Sequence, residues 1–573
     1  MRLFLGIILF WLSIIGLCNF VKKRFKLKEY FSLPIVTAML GVVMFLAGIL
    51  NILKIASILI LAISIGHLIY SIIKKEITLG TLKDFFTNPQ NIIIIIVFVY
   101  ISILGSQMHL TRYDNFSHWG LIVKNMFIND ALPNFDDLTI MFKGYQPGSA
   151  SYIYYFGLLC GKTESSMIIA NNYIVFSFIT IMYSVVKKHK SIIKNLIPVL
   201  FYVFIMIVSN NFNELLVDGM LSAMSLAAFL ILYEYRKNLK KATILTLPIL
   251  VFQYLVKNTG IVLIFFNCIY LIYLIITTKQ LKKGIKYLFS IGITLLMFLC
   301  VWQNHVTYAY GEEALNSKHS LTSANILTQV RDKGWDNIFS WTNSYIKHFV
   351  DVNNNKPIIV IISINIILIL SIIFEKNKKE RKKLIALTLA VDFLYVGYYG
   401  ILGLMYILSM PWGEAVVFAS YERYMSTILI IIIGILFIYY FLKKEQKNYV
   451  FILLSFLMVL SIGYKKDNLK VLIGKEPYVN TFVEQYDKEF KNLNVDPKKN
   501  CYIYAPSSLN DFGYLYHLSV YKLNAPYVNV LQNADQLSND YIGTLIVLEP
   551  DENIASKINE YKWMENEKNV YTK

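Results

Sequence analysis

Long apolar runs alternate with short polar turns along this chain, and the runs have the length of membrane spans. Stretches such as "ILILAISIGHLIYSII" and "ILIIIIGILFIYYFL" approach the roughly 20 residues needed to cross hydrocarbon. Fourteen such segments are predicted, near 3–20, 33–52, 55–73, 91–110, 166–186, 196–210, 216–233, 242–256, 260–277, 287–303, 357–374, 384–409, 426–442 and 449–463. All are read as helices, because unpaired strand backbone in lipid costs several kcal/mol per group. The first segment lacks a small-residue cleavage site and is followed by further spans, so it reads as a helix rather than a secretion signal. After 464 the pattern changes. "CYIYA" (501–505), "YVNVL" (527–531) and "TLIVLE" (544–549) read as short buried strands between amphipathic stretches, which implies a small α/β domain on a parallel sheet. The fold class is thus an all-α polytopic membrane protein of about 14 spans, followed by a small extracytoplasmic α/β C-terminal domain.

Composition agrees: 56% of the 573 residues are hydrophobic and 16% are charged. The formal charge of +18 would suggest nucleic acid in a soluble protein, but its distribution excludes that partner. If the chain alternates sides, the turns at 22–28, 74–84, 187–194, 236–241, 279–286, 375–383 and 443–447 share one side. They carry 29 Lys and Arg against five acids. The positive-inside rule makes that side cytoplasmic, so the basic excess is a topology signal and the bilayer is the partner. A miscount of one helix would invert every later cluster. The opposite side then receives 111–165, the loop around 304–356, the short loop 410–425 and the tail from 464, whose 13 Lys/Arg and 15 Asp/Glu are nearly balanced. The tail has no Gly-rich phosphate loop and reads as a cap or acceptor-docking domain. Five cysteines, of which Cys18, Cys268 and Cys300 lie in apolar segments, form neither a disulfide framework nor a metal spacing.

Chemistry is expected on the outer loops. In "TRYDNFSHWGLIVKNMF", Phe116, Trp119, Ile122, Val123, Met126 and Phe127 recur at helical spacing, which predicts an amphipathic helix lying in the outer interface. Asp114 stands at its start, either as an N-cap or as a functional carboxylate. Further on, "MFKGYQPGSASYIYYFGLL" (141–159) places a Lys, a Tyr and a Pro-Gly turn ahead of an aromatic helix.

An Asp opening the first outer loop, interfacial helices and then a Tyr/Pro turn before an aromatic helix resembles the GT-C glycosyltransferases. These include protein O-mannosyltransferases and the lipid A aminoarabinose transferase. Their usual turn is Tyr-Pro-Pro; here it is "YQPG", Tyr145 to Gly148. "LVKNTG" (255–260) is similar to their Lys-x-x-Gly, and "SYERYM" (420–425) to their Arg-Tyr pair. The resemblance covers residues 91–463, with 1–90 as accessory helices and 464–573 as the separate α/β domain. It implies sugar transfer outside the cytoplasm from a polyprenyl-phosphate sugar to a cell-envelope glycan, lipid or protein. Nucleotide sugars are absent there, so a donor made inside must cross on a lipid. Its phosphate is a good leaving group that needs cations, while the acceptor hydroxyl needs a carboxylate base.

With that reaction in view, Asp114 is the expected base and Arg423 the phosphate clamp, since a guanidinium offers a bidentate fork. Lys143 and Lys257 are further candidate cations; a rim lysine also snorkels without any function. His118 is expected to orient the base or touch substrate. Tyr145, Gln146, Glu422, Glu414 and Trp412 complete the expected substrate-binding set, with Trp412 suited to stacking on a sugar ring and equally to interfacial anchoring. An ion pair with Glu414 or Glu422 is the structural alternative for Arg423. Glu214 and Asp218, in "NNFNELLVDGM", read as helix-capping acids one turn apart. No cofactor is expected; Asp114 and His118 at i and i+4 supply only two ligands for a divalent metal. The rival classes are a flippase for lipid-linked saccharides, which would place charges at mid-bilayer as only Asp392 does clearly, and an O-antigen-type polymerase or ligase.

Overall fold

The computed structural model describes residues 2–134, 140, 142–186, 192–210, 212–316, 320, 322–443, 454–455, 457–458, 467–474, 482–490, 499–507, 513–523 and 528–573. Its helices are α1 (Arg2–Arg24), α2 (Ser32–Ile49), α3 (Leu53–Ile73), α4 (Leu79–Thr87), α5 (Pro89–Gly105), α6 (Gly120–Asn129), α7 (Gly148–Cys160), α8 (Glu164–Ile179), α9 (Tyr183–Val186), α10 (Ile192–Ile205), α11 (Asp218–Glu234), α12 (Leu239–Val256), α13 (Gly260–Thr277), α14 (Leu281–Tyr310), α15 (Ser323–Lys333), α16 (Trp335–Val350), α17 (Lys356–Ile373), α18 (Lys378–Leu408), α19 (Trp412–Val416) and α20 (Tyr421–Leu442). Thirteen of the fourteen predicted segments are helical at the expected places. Most of the last, near 449–463, and most of the basic turns 187–194 and 443–447 fall outside the described residues.

Among the described residues ten helices are long and apolar enough to cross a membrane, eleven if α4 and α5 count as one span bent by 79°. That bend follows from local sequence. Asn88 accepts a hydrogen bond from Gln90 N, and Pro89 occupies the first turn of α5, where its missing N–H costs nothing and its ring keeps Asn88 extended. α8 and α11 run through the middle and are buried along nearly their whole length. α3, α14, α17 and α18 turn apolar residues such as Ile63, Phe289, Ile366 and Phe393 outward, as lipid-facing helices do.

α1 and α2 are built into the bundle. A Cβ added at Gly6 would lie 2.4 Å from backbone atoms of Leu159 and Cys160 at the end of α7, and one at Gly41 would meet the Phe252 ring on α12 at 2.1 Å. Such close backbone approach is how helices associate where no hydrophobic drive exists between them and lipid.

The two ends of the bundle differ chemically. At one end the basic clusters interlock: Lys23 pairs with Glu76 and Lys28 with Glu234, Lys241 donates to the Lys26 carbonyl at 3.0 Å, and Lys443 pairs with Glu375 at 3.2 Å. At the other end the segments 109–134, 142–147, 212–218, 257–260 and 409–423 converge. Asn213 donates to Thr111 Oγ1 at 3.2 Å and Trp302 to the Gly144 carbonyl at 2.9 Å.

The C-terminal unit contains a five-stranded sheet: β1 (Cys501–Tyr504), β2 (Val528–Leu531), β3 (Thr544–Val547), β4 (Met564–Glu567) and β5 (Val570–Thr572). The spatial order is β2-β1-β3-β5-β4. β1 pairs in parallel with β2 and β3, as the buried runs predict, while β5 and β4 add an antiparallel hairpin beside β3. Sequence reading misses the hairpin because "MENEKNVYT" has every residue of β4 exposed, leaving no buried alternation to detect. The helix Tyr514–Leu523 of this unit lies on the polar end of the bundle, where its Tyr514 hydroxyl donates to the Thr111 carbonyl at 2.7 Å.

One expectation is corrected here. Residues 116–127 are helical but do not lie free in an interface: Phe116, Leu121, Val123 and Met126 are at most 2% exposed. The bundle covers one face and the 514–523 helix the other, with Phe116 against the rings of Tyr514 and Tyr521 at 5.8 and 5.1 Å. Periodicity identified the helix; it could not reveal a second layer contributed from 400 residues downstream.

The close approach at Gly6 makes a testable prediction. Gly6→Val should lower stability by about 1–3 kcal/mol through overpacking, read by thermal unfolding in detergent. Gly66→Ala, where nothing lies within 4 Å, should leave it unchanged.

Candidate active site

The polar end of the bundle holds a chain of charges drawn from four distant parts of the sequence. Asp218 opens α11 and is almost wholly buried. Its Oδ1 lies 3.6 Å from Lys257 Nζ and its Oδ2 3.5 Å from Arg423 Nε. Arg423 Nη1 then reaches Asp114 Oδ2 at 2.9 Å. Tyr424 supports both cations, its ring centroid 5.4 Å from Lys257 Nζ and 5.3 Å from the Arg423 guanidinium carbon.

Local sequence explains each placement. Lys257 is the extended residue ending α12, before "NTG" starts α13, with Gly260 in contact with the Gln253 backbone. Arg423 sits in the first turn of α20, which begins after Ser420 in the left-handed region at φ 58°. Asp114 precedes a π-helical turn, Asn115–Trp119, and makes no capping bond to it; its carboxylate is committed to Arg423 instead. π-helical turns recur at functional sites. Asn115 braces this one, its Oδ1 accepting from Leu215 N at 3.0 Å.

Burial sets the protonation states. Lys257 is nine-tenths shielded; burial alone would lower its pKa, yet the Asp218 carboxylate raises it above the ordinary lysine value. It is therefore a fixed cation at any physiological pH. Tyr145 is pushed up to about 12, mainly by burial, against the opposing pull of Lys257 and Arg423, so its hydroxyl stays a donor. His118 is driven down to about 3 by burial, helped by the Lys257 charge. It is a neutral ring packed edge-on to Trp119, Phe142 and Tyr145 at 4.7, 5.3 and 5.2 Å.

Below this cluster opens a narrow cleft. Asp218 and Tyr424 form its polar head. Val262 and Leu263 of α13 face Ile401 and Met405 of α18 along its walls. Phe265 and Leu404, neighbours of these on the same helices, are more than half exposed, so the apolar part borders the lipid-facing surface. Among the lining residues Asp218 alone is charged; Lys257 and Arg423 pair with it from outside the lining, and the apolar part of the cleft runs between α13 and α18.

Among the expected residues, Asp114, Arg423, Lys257, Tyr145 and His118 come together. Glu414 and Asp114 both bear on the Tyr113 phenol, whose pKa burial and these two charges raise. Gln146 is buried in the turn beside Tyr145. The others are elsewhere. Lys143 lies over the Tyr310 ring at 5.2 Å, Glu422 pairs with Lys356 at 3.2 Å, and Trp412 packs on the core at the start of α19. Glu422 diverges because adjacent residues on a helix point about 100° apart.

Asp218 is the residue that sequence reading misassigned. It neither caps α11 nor shares a helical face with Glu214, which precedes the helix and accepts from Arg112 at 2.7 Å. Its one legible signal was the cost of placing an acid in an apolar run. Among the described residues no three His, Cys, Asp or Glu side chains gather as a metal site requires.

Neither a protein-family profile nor a curated protein matches the chain. Its fold is similar to that of ArnT from Cupriavidus metallidurans, solved bound to undecaprenyl phosphate. The likeness spans 84% of this chain and 97% of that one at 11% identity, with a TM-score of 0.37.

Two outcomes follow from the burial. The neutral His118 resists protonation in the fold but accepts a proton at its ordinary value near 6.5 once unfolded. Stability should therefore fall as pH drops from 6.5 towards 3, by at most about 1.4 kcal/mol per pH unit; His118→Phe should flatten that slope in pH-dependent melting. Lys257→Met breaks a buried pair and should cost about 3–5 kcal/mol, with Lys257→Met combined with Asp218→Leu recovering part of the loss.

Proposed function

We propose that this chain is an integral membrane glycosyltransferase. In this reading it takes a sugar from a polyprenyl-phosphate donor and passes it to a hydroxyl of a cell-envelope acceptor, on the side opposite the basic turns. The observation that carries the proposal is the joint geometry of the polar end: a carboxylate, Asp114, and two cations, Arg423 and Lys257, are linked through Asp218 to the head of a cleft whose apolar walls border the lipid-facing surface. A water-soluble donor has no use for such walls. A lipid phosphate uses both halves, and burying its first isoprene units adds about 25 cal/mol per Å² of apolar surface.

The acceptor oxygen attacks the anomeric carbon from the face opposite the leaving phosphate and inverts it. The bond from that carbon to the phosphate oxygen breaks, its electron pair stays on the phosphate, and the hydroxyl proton passes to Asp114. Arg423 and Lys257 hold the charge that develops on the leaving group, the task a metal ion performs in other transferases. Before donor arrives, Arg423 is paired with Asp114 at 2.9 Å. An incoming phosphate competes for that guanidinium and frees the carboxylate to act as base. Tyr145 and Tyr424 offer hydroxyls to the phosphate or the sugar, and Asp218 keeps both cations in place. The rim residues Lys143, Trp412, Glu414 and Glu422 are left to acceptor contact or to structure.

A panel of lipid-phosphate sugars, incubated with protein in detergent or nanodiscs, should reveal one donor from which free polyprenyl phosphate is released. Asp114→Asn should then slow turnover about 10²–10⁴-fold with donor affinity retained. Arg423→Lys, which keeps the charge but loses the fork, should raise the donor KM and lower kcat together. Normal surface glycan in cells carrying folded, abundant Asp114→Asn protein would sink this assignment; a flippase would behave that way.

A further inference from the structure

The C-terminal unit is remote in sequence from Asp114 yet touches the segment that carries it along its whole length. Tyr514, His517 and Tyr521 are spaced by three and four residues, so they share one face of the 514–523 helix. The Tyr514 hydroxyl donates to the Thr111 carbonyl at 2.7 Å. His517 meets the Tyr113 ring edge-on, with centroids 5.0 Å apart and planes at 85°. Phe116 is wedged against Tyr514 and Tyr521. Beyond it, Lys124 donates to the Tyr521 carbonyl and lies 4.9 Å over that ring. At the other end Lys522 pairs with Glu164 at 3.2 Å, and the second oxygen of Glu164 accepts from Leu110 N at 3.0 Å.

The contacts thus run from 110 to 124, with Asp114 inside the bracket. The segment needs such support. Residues 106–112 form no helix or strand, and 115–119 form a π-helical turn, wider and rarer than an α-turn. A base has to be held within about half an ångström of its working position, and a segment with so little regular structure cannot do that alone.

We propose that the 514–523 helix is a positioning clamp, pressing residues 110–124 onto the bundle so that Asp114 is presented to the acceptor, with Tyr514 and His517 as positioning residues. The catalytic consequence rests on the sugar-transfer reading; the clamp itself does not. The unit's place in the molecule is then that of a part of the active site, supplied from the far end of the chain.

The test uses full-length protein in nanodiscs and three readouts: hydrogen exchange in peptides spanning 110–120, affinity for undecaprenyl phosphate, and turnover with the donor the unaltered protein accepts. In Tyr514→Phe combined with His517→Ala, exchange should quicken about tenfold or more and kcat should fall about 10–100-fold. Undecaprenyl phosphate affinity should stay within about twofold, because its cations sit on α12 and α20. His517→Phe, which keeps a ring edge on Tyr113, should restore most of the loss, and Tyr571→Phe in the sheet should change nothing. Unchanged exchange overturns the clamp. Faster exchange with undiminished turnover overturns its positioning role, as does a loss of turnover that merely follows lost lipid affinity. If the unaltered protein releases no carrier from any donor, the function proposal fails and the exchange readout alone decides the clamp.

Discussion

The polar end of this bundle depends on one buried carboxylate. Asp218 lies between Lys257 and Arg423, at 3.6 and 3.5 Å, where water scarcely reaches. Two cations in so dry a place would repel each other and suffer desolvation costs of several kcal/mol each; a shared anion makes their proximity tolerable. It also draws together the first turn of α11, the end of α12 and the first turn of α20. Arg423 also reaches Asp114, at 2.9 Å, while Asp218 itself lines the head of the cleft. A paired charge cluster at the head of an apolar groove is the direct result.

Around that core the chain adds layers. α8 and α11 form the buried centre, α1 and α2 close against α7 and α12 through glycines, and α13 and α18 leave an apolar cleft between them. The C-terminal unit covers the segment with Asp114 from above. Each layer answers a different need: satisfied backbone in lipid, close helix packing, access for a chain-like molecule, and a rigid seat for a carboxylate that no regular element holds.

Much of the helical plan was legible in the sequence because span length and charge bias are local signals. Thirteen apolar segments coincide with helices, and the basic turns interlock at one end through pairs such as Lys28 with Glu234. The strands at 501–504, 528–531 and 544–547 were visible for the same reason, as short runs buried on both faces. The exposed β4 left no such trace. Asp114, Arg423 and Lys257, which the fold brings into one charge cluster, were singled out through motif order. Asp218 was misread, since an acid at a helix start has a ready local explanation, and Lys143, Trp412 and Glu422 were included on sidedness alone.

What the sequence by itself determined is the spans, their polarity and which residue types gather on one side, since each follows from the free energy of moving a short segment between water and hydrocarbon. What only the tertiary structure decided is who faces whom: that Asp218 is shared by two cations, that Glu422 turns to Lys356, and that a helix from the far end of the chain lies on residues 110–124. Those outcomes depend on helix rotation and on contacts between positions about 40 to 400 residues apart, and no local pattern of polarity encodes a rotation.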